Sequence, residues 1–159
     1  MQGGLISYGL VAGLAIALVV AAFTDLRRRQ IDNWLNAAVA LGAPLFWWSS
    51  GMSLAQVGWQ FAVALAAFAV LTGLFALRAM GGGDVKLLTA LALWIQPAWF
   101  LKLIIMMALV GGLLTLVFGA WHIARRQRDR LTIPYGVAIS TAALWALASQ
   151  YLPNLPVAA

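Results

Sequence analysis

The chain has 159 residues, 64% of them apolar and 9% charged, with a net charge of +6 and a mean hydropathy of +0.95. A soluble domain carries roughly a quarter charged residues, so this composition excludes a water-solvated globule and demands lipid as solvent. The chain has no cysteine, which excludes disulfides, thiolate-held zinc, iron–sulfur clusters and a thiol nucleophile.

A membrane-spanning helix needs about 20 apolar residues, with a range of about 17–25. Residues 5–23 meet that length. No Lys or Arg precedes them, and Arg27, Arg28 and Arg29 follow. A secretory signal has the opposite order, so this run is expected to be a permanent anchor with its N-terminus outside. Residues 34–48 form a shorter run that contains Pro44. Residues 57–77 are long enough to span. Residues 87–95 are short and are expected to continue as a helix through Gln96, stopped by Pro97. Residues 98–121 and 131–152 complete the set. The expected fold is an all-α integral membrane protein, a single transmembrane domain over residues 1–159 with six crossings and both termini outside the cytoplasm.

Loop charges agree with that path. One side receives Arg27, Arg28, Arg29, Arg78, Lys86, Arg125, Arg126, Arg128 and Arg130, and the other receives Lys102 alone. This is the positive-inside asymmetry. The basic residues sit in short loops between apolar runs, so orientation in a membrane accounts for them and nucleic acid is not an expected partner.

Few residues here can do chemistry. There is no Glu, and His122 is the only histidine; at the end of a helix it reads as an interfacial residue. A metal site would draw on four Asp and this one His, at no recognisable spacing. Two aspartates remain of interest. Asp25 follows the first apolar run, beside Thr24, and Asp84 opens the fourth after Gly81, Gly82 and Gly83. Each alone has a structural explanation, Asp84 as a helix cap and Asp25 as an interfacial charge among the arginines. Both are expected near the same membrane face, however, where two carboxyls brought together share a proton and supply a base and an acid. Peptide hydrolysis by an activated water needs such a pair. Asp25 closes a helix and Asp84 opens one, so the helix dipoles are expected to leave the resting proton on Asp25. The three glycines are expected to give the backbone freedom and room for an extended substrate strand beside Asp84.

These residues resemble a known family. Gly81-Gly82-Gly83-Asp84 fits the GxGD motif of intramembrane aspartic proteases, and Val85-Lys86 extends it to the GxGDxK form of the prepilin peptidases, or type IV leader peptidases. Asp25-Leu26-Arg27, with Ile31, Asn33 and Leu35 downstream, resembles the family's first catalytic segment. Ile133-Pro134-Tyr135-Gly136 resembles its Pro-Tyr-Gly segment. The resemblance implies an aspartic endopeptidase of the bacterial inner membrane that removes the basic leader from type IV prepilins and pseudopilins at the cytoplasmic face. It implies Asp25 and Asp84 as the catalytic pair, with Gly81, Gly82, Gly83, Lys86, Asn33, Pro134, Tyr135 and Gly136 binding substrate or shaping the site. No cofactor or metal is implied. The implied partners are prepilins and lipid, with a homodimer left open.

Two departures matter. Asp32 stands where the family usually has Pro, as a solvated loop charge or a receiver for the basic leader. The larger members' cysteine-bearing insertion is missing, so the chain resembles the minimal peptidases of tight-adherence pilus systems, and methyl transfer is not expected. Two other readings compete. A small transporter or secretion-assembly component would hold its carboxylates near the midplane, whereas both lie at one end here. Against an intramembrane aspartic protease for other membrane peptides, the form of the Asp25 segment and Lys86 favour the prepilin class.

Overall fold

In a computed structural model the described residues, 4–124 and 133–152, form six helices and no strand. They are α1 (Leu5–Arg28), α2 (Asn33–Ser49), α3 (Leu54–Ala76), α4 (Gly82–Ala92), α5 (Pro97–Ala124) and α6 (Tyr135–Tyr151). In lipid an apolar segment must bond its own N–H and C=O groups, and the helix does so within one stretch of chain. Arg125, Arg126, Arg128 and Arg130, used in the charge argument, lie outside the described residues.

Three helices are long and apolar enough to cross a bilayer: α1, α3 and α5. The most apolar stretch of α5 is only 11% buried, and that of α3 only 17%. Phe61, Leu65 and Phe68 on α3, and Leu109, Leu113 and Leu116 on α5, are exposed. Such surfaces are tolerable only against lipid, so the chain reads as a membrane protein.

The inner helices are α4 and α6. Helix α4 packs against α2, α3, α5 and α6, and α6 packs against α1, α4 and α5. Leu87, Leu88 and Leu91 of α4 are fully buried. Helix α6 offers Ala138, Ala142, Ala143 and Ala146 to its neighbours, all fully buried. Small residues at these positions let helix backbones approach closely, the usual basis of helix packing in lipid.

The fourth helix differs from its expected form. It ends at Ala92, and residues 93–96 are turn, so it does not continue through Gln96. Pro97 opens α5 instead of closing α4, since proline fits the first helical turn, where its missing N–H costs nothing. The early stop is stabilised by side chains. Gln60 of α3 donates to the carbonyls of Ala92 and Ile95 at 2.7 and 2.6 Å. Trp47 of α2 donates to the Leu93 carbonyl at 2.8 Å, and Trp94 donates back to the Val39 carbonyl at 2.8 Å. The Gln60 and Trp47 donors satisfy carbonyls at and just after the helix end, and the Trp94 bond to the middle of α2 holds the turn in place.

With 11 residues, α4 is about 16 Å long at 1.5 Å per residue, roughly half of a hydrocarbon core about 30 Å thick. A short central helix among longer ones leaves a recess at each end. One, of about 620 Å³, lies between the start of α1 and the ends of α2, α4 and α6, with Ser7, Ser50, Trp94 and Tyr151 in its wall. The other end holds the candidate site.

Candidate active site

Asp25 stands in the last turn of α1. The helix runs on past residue 23 and closes at Arg29, whose N–H donates to the Asp25 carbonyl at 2.8 Å. The carboxyl is buried, at 6% exposure, and one oxygen, Oδ2, has no hydrogen-bond partner among the described residues. It is held against the start of α6. A Cβ placed on Gly136 would lie 2.8 Å from Asp25 Cγ and 2.9 Å from both its Cβ and Oδ2. Only glycine leaves room for the carboxyl there. The amides of Gly136 and Val137 flank the carboxyl without satisfying Oδ2 by hydrogen-bond geometry. Asp25 thus meets the C-terminal end of its own helix and the N-terminal end of another. The two dipoles act in opposite senses, and the helix-end argument for a resting proton on Asp25 loses its basis.

Asp84 lies in the first turn of α4 and is half-buried. The helix cap is Gly81, and Asp84 is the third helical residue, whose carboxyl bonds back to the Gly81 amide, so it meets a free N–H of the helix start without being the cap itself. Its carboxyl folds back over Gly81, where a Cβ would stand 3.0 Å from Oδ2. Asp25 and Asp84 interact electrostatically. Both line the same two recesses, of about 610 and 420 Å³. Residues 59 positions apart in the chain (84 − 25) are therefore joined in one site.

Of the two properties expected of the glycines, the site uses close approach of another backbone and not conformational freedom. Gly81 is extended at φ −74° and ψ 146°, and Gly82 and Gly83 are helical, so none needs a backbone conformation closed to other residues. What they provide is proximity. A Cβ on Gly83 would meet Ile31 at 3.4 Å, and one on Gly82 would meet the Phe75 ring at 3.3 Å. The loop after Asp25 can therefore lie directly on the start of α4. Asn36, buried in α2, donates to the Gly83 carbonyl at 3.4 Å. Lys86 donates to Asn33 Oδ1 at 2.8 Å, tying α4 to the start of α2 and fixing the two aspartate segments to each other.

The third segment closes the site from α6. Pro134 is fully buried and precedes Tyr135, where α6 begins. The helix thus starts later than residue 131; residues 131–132 lie outside the described part. Tyr135 is 37% exposed, lines the larger recess beside Ile133, and packs its ring on Gly111 of α5, whose Cβ would lie 3.1 Å away. His122, in the last turn of α5, lines neither recess.

The three consecutive arginines separate in space. Arg27 lies over the Phe23 ring at 4.5 Å. Arg28 pairs with Asp32 at 3.2 Å on the surface, which accounts for Asp32 as a loop charge within reach of the smaller recess. Arg29 turns inward. Its backbone is left-handed, at φ 54° and ψ 34°, a conformation costing about 1–2 kcal/mol for a residue with a side chain. Its guanidinium lies 5.4 Å from the Phe118 ring and forms part of both recesses. In the sequence Arg29 is one of three adjacent arginines that orient the chain and act together on Asp25, and only Arg29 carries the interaction with Asp25. Nothing in a run of identical residues marks which one the helix end will turn inward.

Comparison with known families gave one match. The model of the type IV leader peptidase family matches residues 12–119, a span that includes Asp25 and Asp84 and stops short of α6. Comparisons with curated proteins and with solved structures gave no match.

Proposed function

The chain belongs to the type IV leader peptidase family, and on that footing we propose that it is an aspartic endopeptidase with Asp25 and Asp84 as its catalytic pair. The observation that carries the reading is their arrangement. Two carboxyls from distant segments line the same recesses at one end of an apolar helical bundle, where ionisable groups are costly and persist for function. One ionised carboxylate takes a proton from water as the water oxygen adds to the scissile carbonyl carbon. The other carboxyl gives its proton to the carbonyl oxygen. The tetrahedral diol then collapses: the first carboxyl gives its proton to the leaving amine, the C–N bond breaks, and the second carboxylate takes a hydroxyl proton from the diol, leaving a carboxylic acid and the dyad in its starting state.

The substrates are type IV prepilins or pseudopilins, cut between a basic leader and an apolar helix at the cytoplasmic face of a bacterial inner membrane. Six crossings with both termini outside would put Asp25, Asp84 and the Arg-rich loops on that face. Asp32, at the rim of the smaller recess and paired with Arg28 at the surface, supplies a carboxylate for a basic leader. The other named residues hold the pair in place: Gly81 and Gly136 by leaving room for the two carboxyls, Gly82 and Gly83 by letting the loop approach, Lys86 through Asn33, and Pro134 and Tyr135 by setting the start of α6.

Cleavage of a purified prepilin in detergent or lipid tests this. Wild type is expected to release the leader. Asp25→Asn and Asp84→Asn, each folded like wild type, are expected to lower the rate by about 10²- to 10⁴-fold. Activity that survives either change refutes the aspartic mechanism. An inert wild type across several prepilins refutes the substrate.

A further inference from the structure

We propose that Arg29 is a third catalytic group, a cation that donates a hydrogen bond to the scissile carbonyl oxygen as charge develops on it. The inference rests on the peptidase reading above and deepens it.

Three observations support that role. Its Nη1 is buried and has no hydrogen-bond partner among the described residues. A buried cationic donor without an acceptor is unfavourable unless a ligand or water supplies one. Secondly, the group stands beside the aspartates. Arg29 interacts electrostatically with Asp25, and the residues common to both recesses are Asp25, Arg29, Gly81 and Asp84. A peptide laid from one recess to the other must cross that shared wall. Thirdly, its two neighbours lie away from both recesses, Arg27 over Phe23 and Arg28 paired with Asp32.

The chemistry balances without transfer of a proton from Arg29. As the water oxygen bonds to the carbonyl carbon, the carbonyl π pair moves onto oxygen. That oxygen is partly anionic until the acidic carboxyl delivers its proton. A guanidinium N–H on the recess side of Arg29 bonds to it over that interval, and Arg29 leaves the step as it entered, protonated. A fixed donor aimed at developing charge needs no reorganisation at the moment of reaction. An interaction realised only as charge develops raises kcat and leaves substrate affinity alone.

Steady-state cleavage of a prepilin by Arg29→Gly tests the role. Glycine accepts the left-handed backbone, so the helix end is kept and the guanidinium alone is removed. We expect kcat to fall by about 10²-fold with KM nearly unchanged, the scale of losing one such donor. Free guanidinium ion is expected to restore part of the loss in Arg29→Gly and to do nothing for wild type. Arg27→Met is expected to match wild type. Retention of wild-type kcat by Arg29→Gly would reduce Arg29 to a helix cap and overturn the proposal. So would a raised KM with kcat intact, which would mean a contact made equally well before the reaction. If the glycine variant does not fold, Arg29→Asn carries the same expectations, because asparagine also tolerates this turn. An inactive wild type would overturn the peptidase reading and this inference with it, whereas an active wild type with an equally active Arg29→Gly overturns this inference alone.

Discussion

The Asp25 carboxyl has its place because Gly136 has no side chain. A methyl group there would approach three Asp25 atoms to within 2.9 Å, closer than carbon atoms tolerate, and neither the helix end of α1 nor that of α6 can yield without moving the other. Gly136→Ala is therefore expected to destabilise the fold by about 1–3 kcal/mol through overpacking. It should also slow prepilin cleavage by about 10²-fold, the scale on which a misplaced catalytic group costs rate. Gly112 provides the contrast. It is a helical glycine of α5 with nothing within 4 Å of its missing Cβ, so Gly112→Ala is expected to leave cleavage intact. It should hold or raise the midpoint of thermal unfolding in detergent, since alanine favours a helix interior by about 0.5–1 kcal/mol. An equal loss in both variants would show that the crowding at Asp25 is not what makes Gly136 necessary. The aspartates were legible in the sequence because charge is rare in an apolar chain. Gly136 was legible only through a motif. The arginine cluster beside Asp25 was legible, but not which of the three faces the site, since the turn that separates Arg29 from Arg27 and Arg28 is a property of a helix end and not of composition.

Among the helices, α4 carries the most consequence for its length. It sets Asp84 at one end and stops at the other, about half a membrane later. Apolar run length located the element, but its end was misjudged. Pro97 is a visible helix breaker, whereas the groups that end α4 come from α2 and α3, many residues away. Gln60 of α3 is 5% exposed and serves two carbonyls at once. Gln60→Leu keeps the volume and removes both donors. Each orphaned carbonyl costs about 1–3 kcal/mol, reduced where water from the adjoining recess reaches it. The unfolding midpoint in detergent is expected to drop accordingly. Cleavage measured well below that midpoint should change little, because Asp84 is anchored at the far end of α4 by Gly81, Ile31 and the Lys86–Asn33 bond. A Gln60→Leu variant as stable as wild type would mean that the Trp47 and Trp94 bonds suffice to end the helix.

For the whole molecule, orientation decides which side the dyad serves. Six helices that each cross would return the chain to its starting side and put the loops 29–32 and 77–81 together, as the shared recesses require. Only α1, α3 and α5 are long enough to span by themselves; α2 and α6, with 17 residues each, are at the lower limit of about 17, and α4 is below it. The short helices are expected to cross because they pack among long ones and because a recess at each end replaces the missing length. Since the chain contains no cysteine, a single introduced thiol reports its own location without background. Gln30→Cys, in the loop beside the site, is expected to resist a membrane-impermeant maleimide in intact cells and to react after permeabilisation. Ala55→Cys, exposed at the start of α3, is expected to react in intact cells. The positive-inside rule makes this the favoured orientation, with Arg27, Arg28, Arg29 and Arg78 on the cytoplasmic side. The reverse pattern would put the aspartates outside the cytoplasm and overturn the proposed cleavage of prepilins at the cytoplasmic face. Labelling of both positions in intact cells would mean that α2 does not cross, and a dyad joined through one face would then need a different path for the chain.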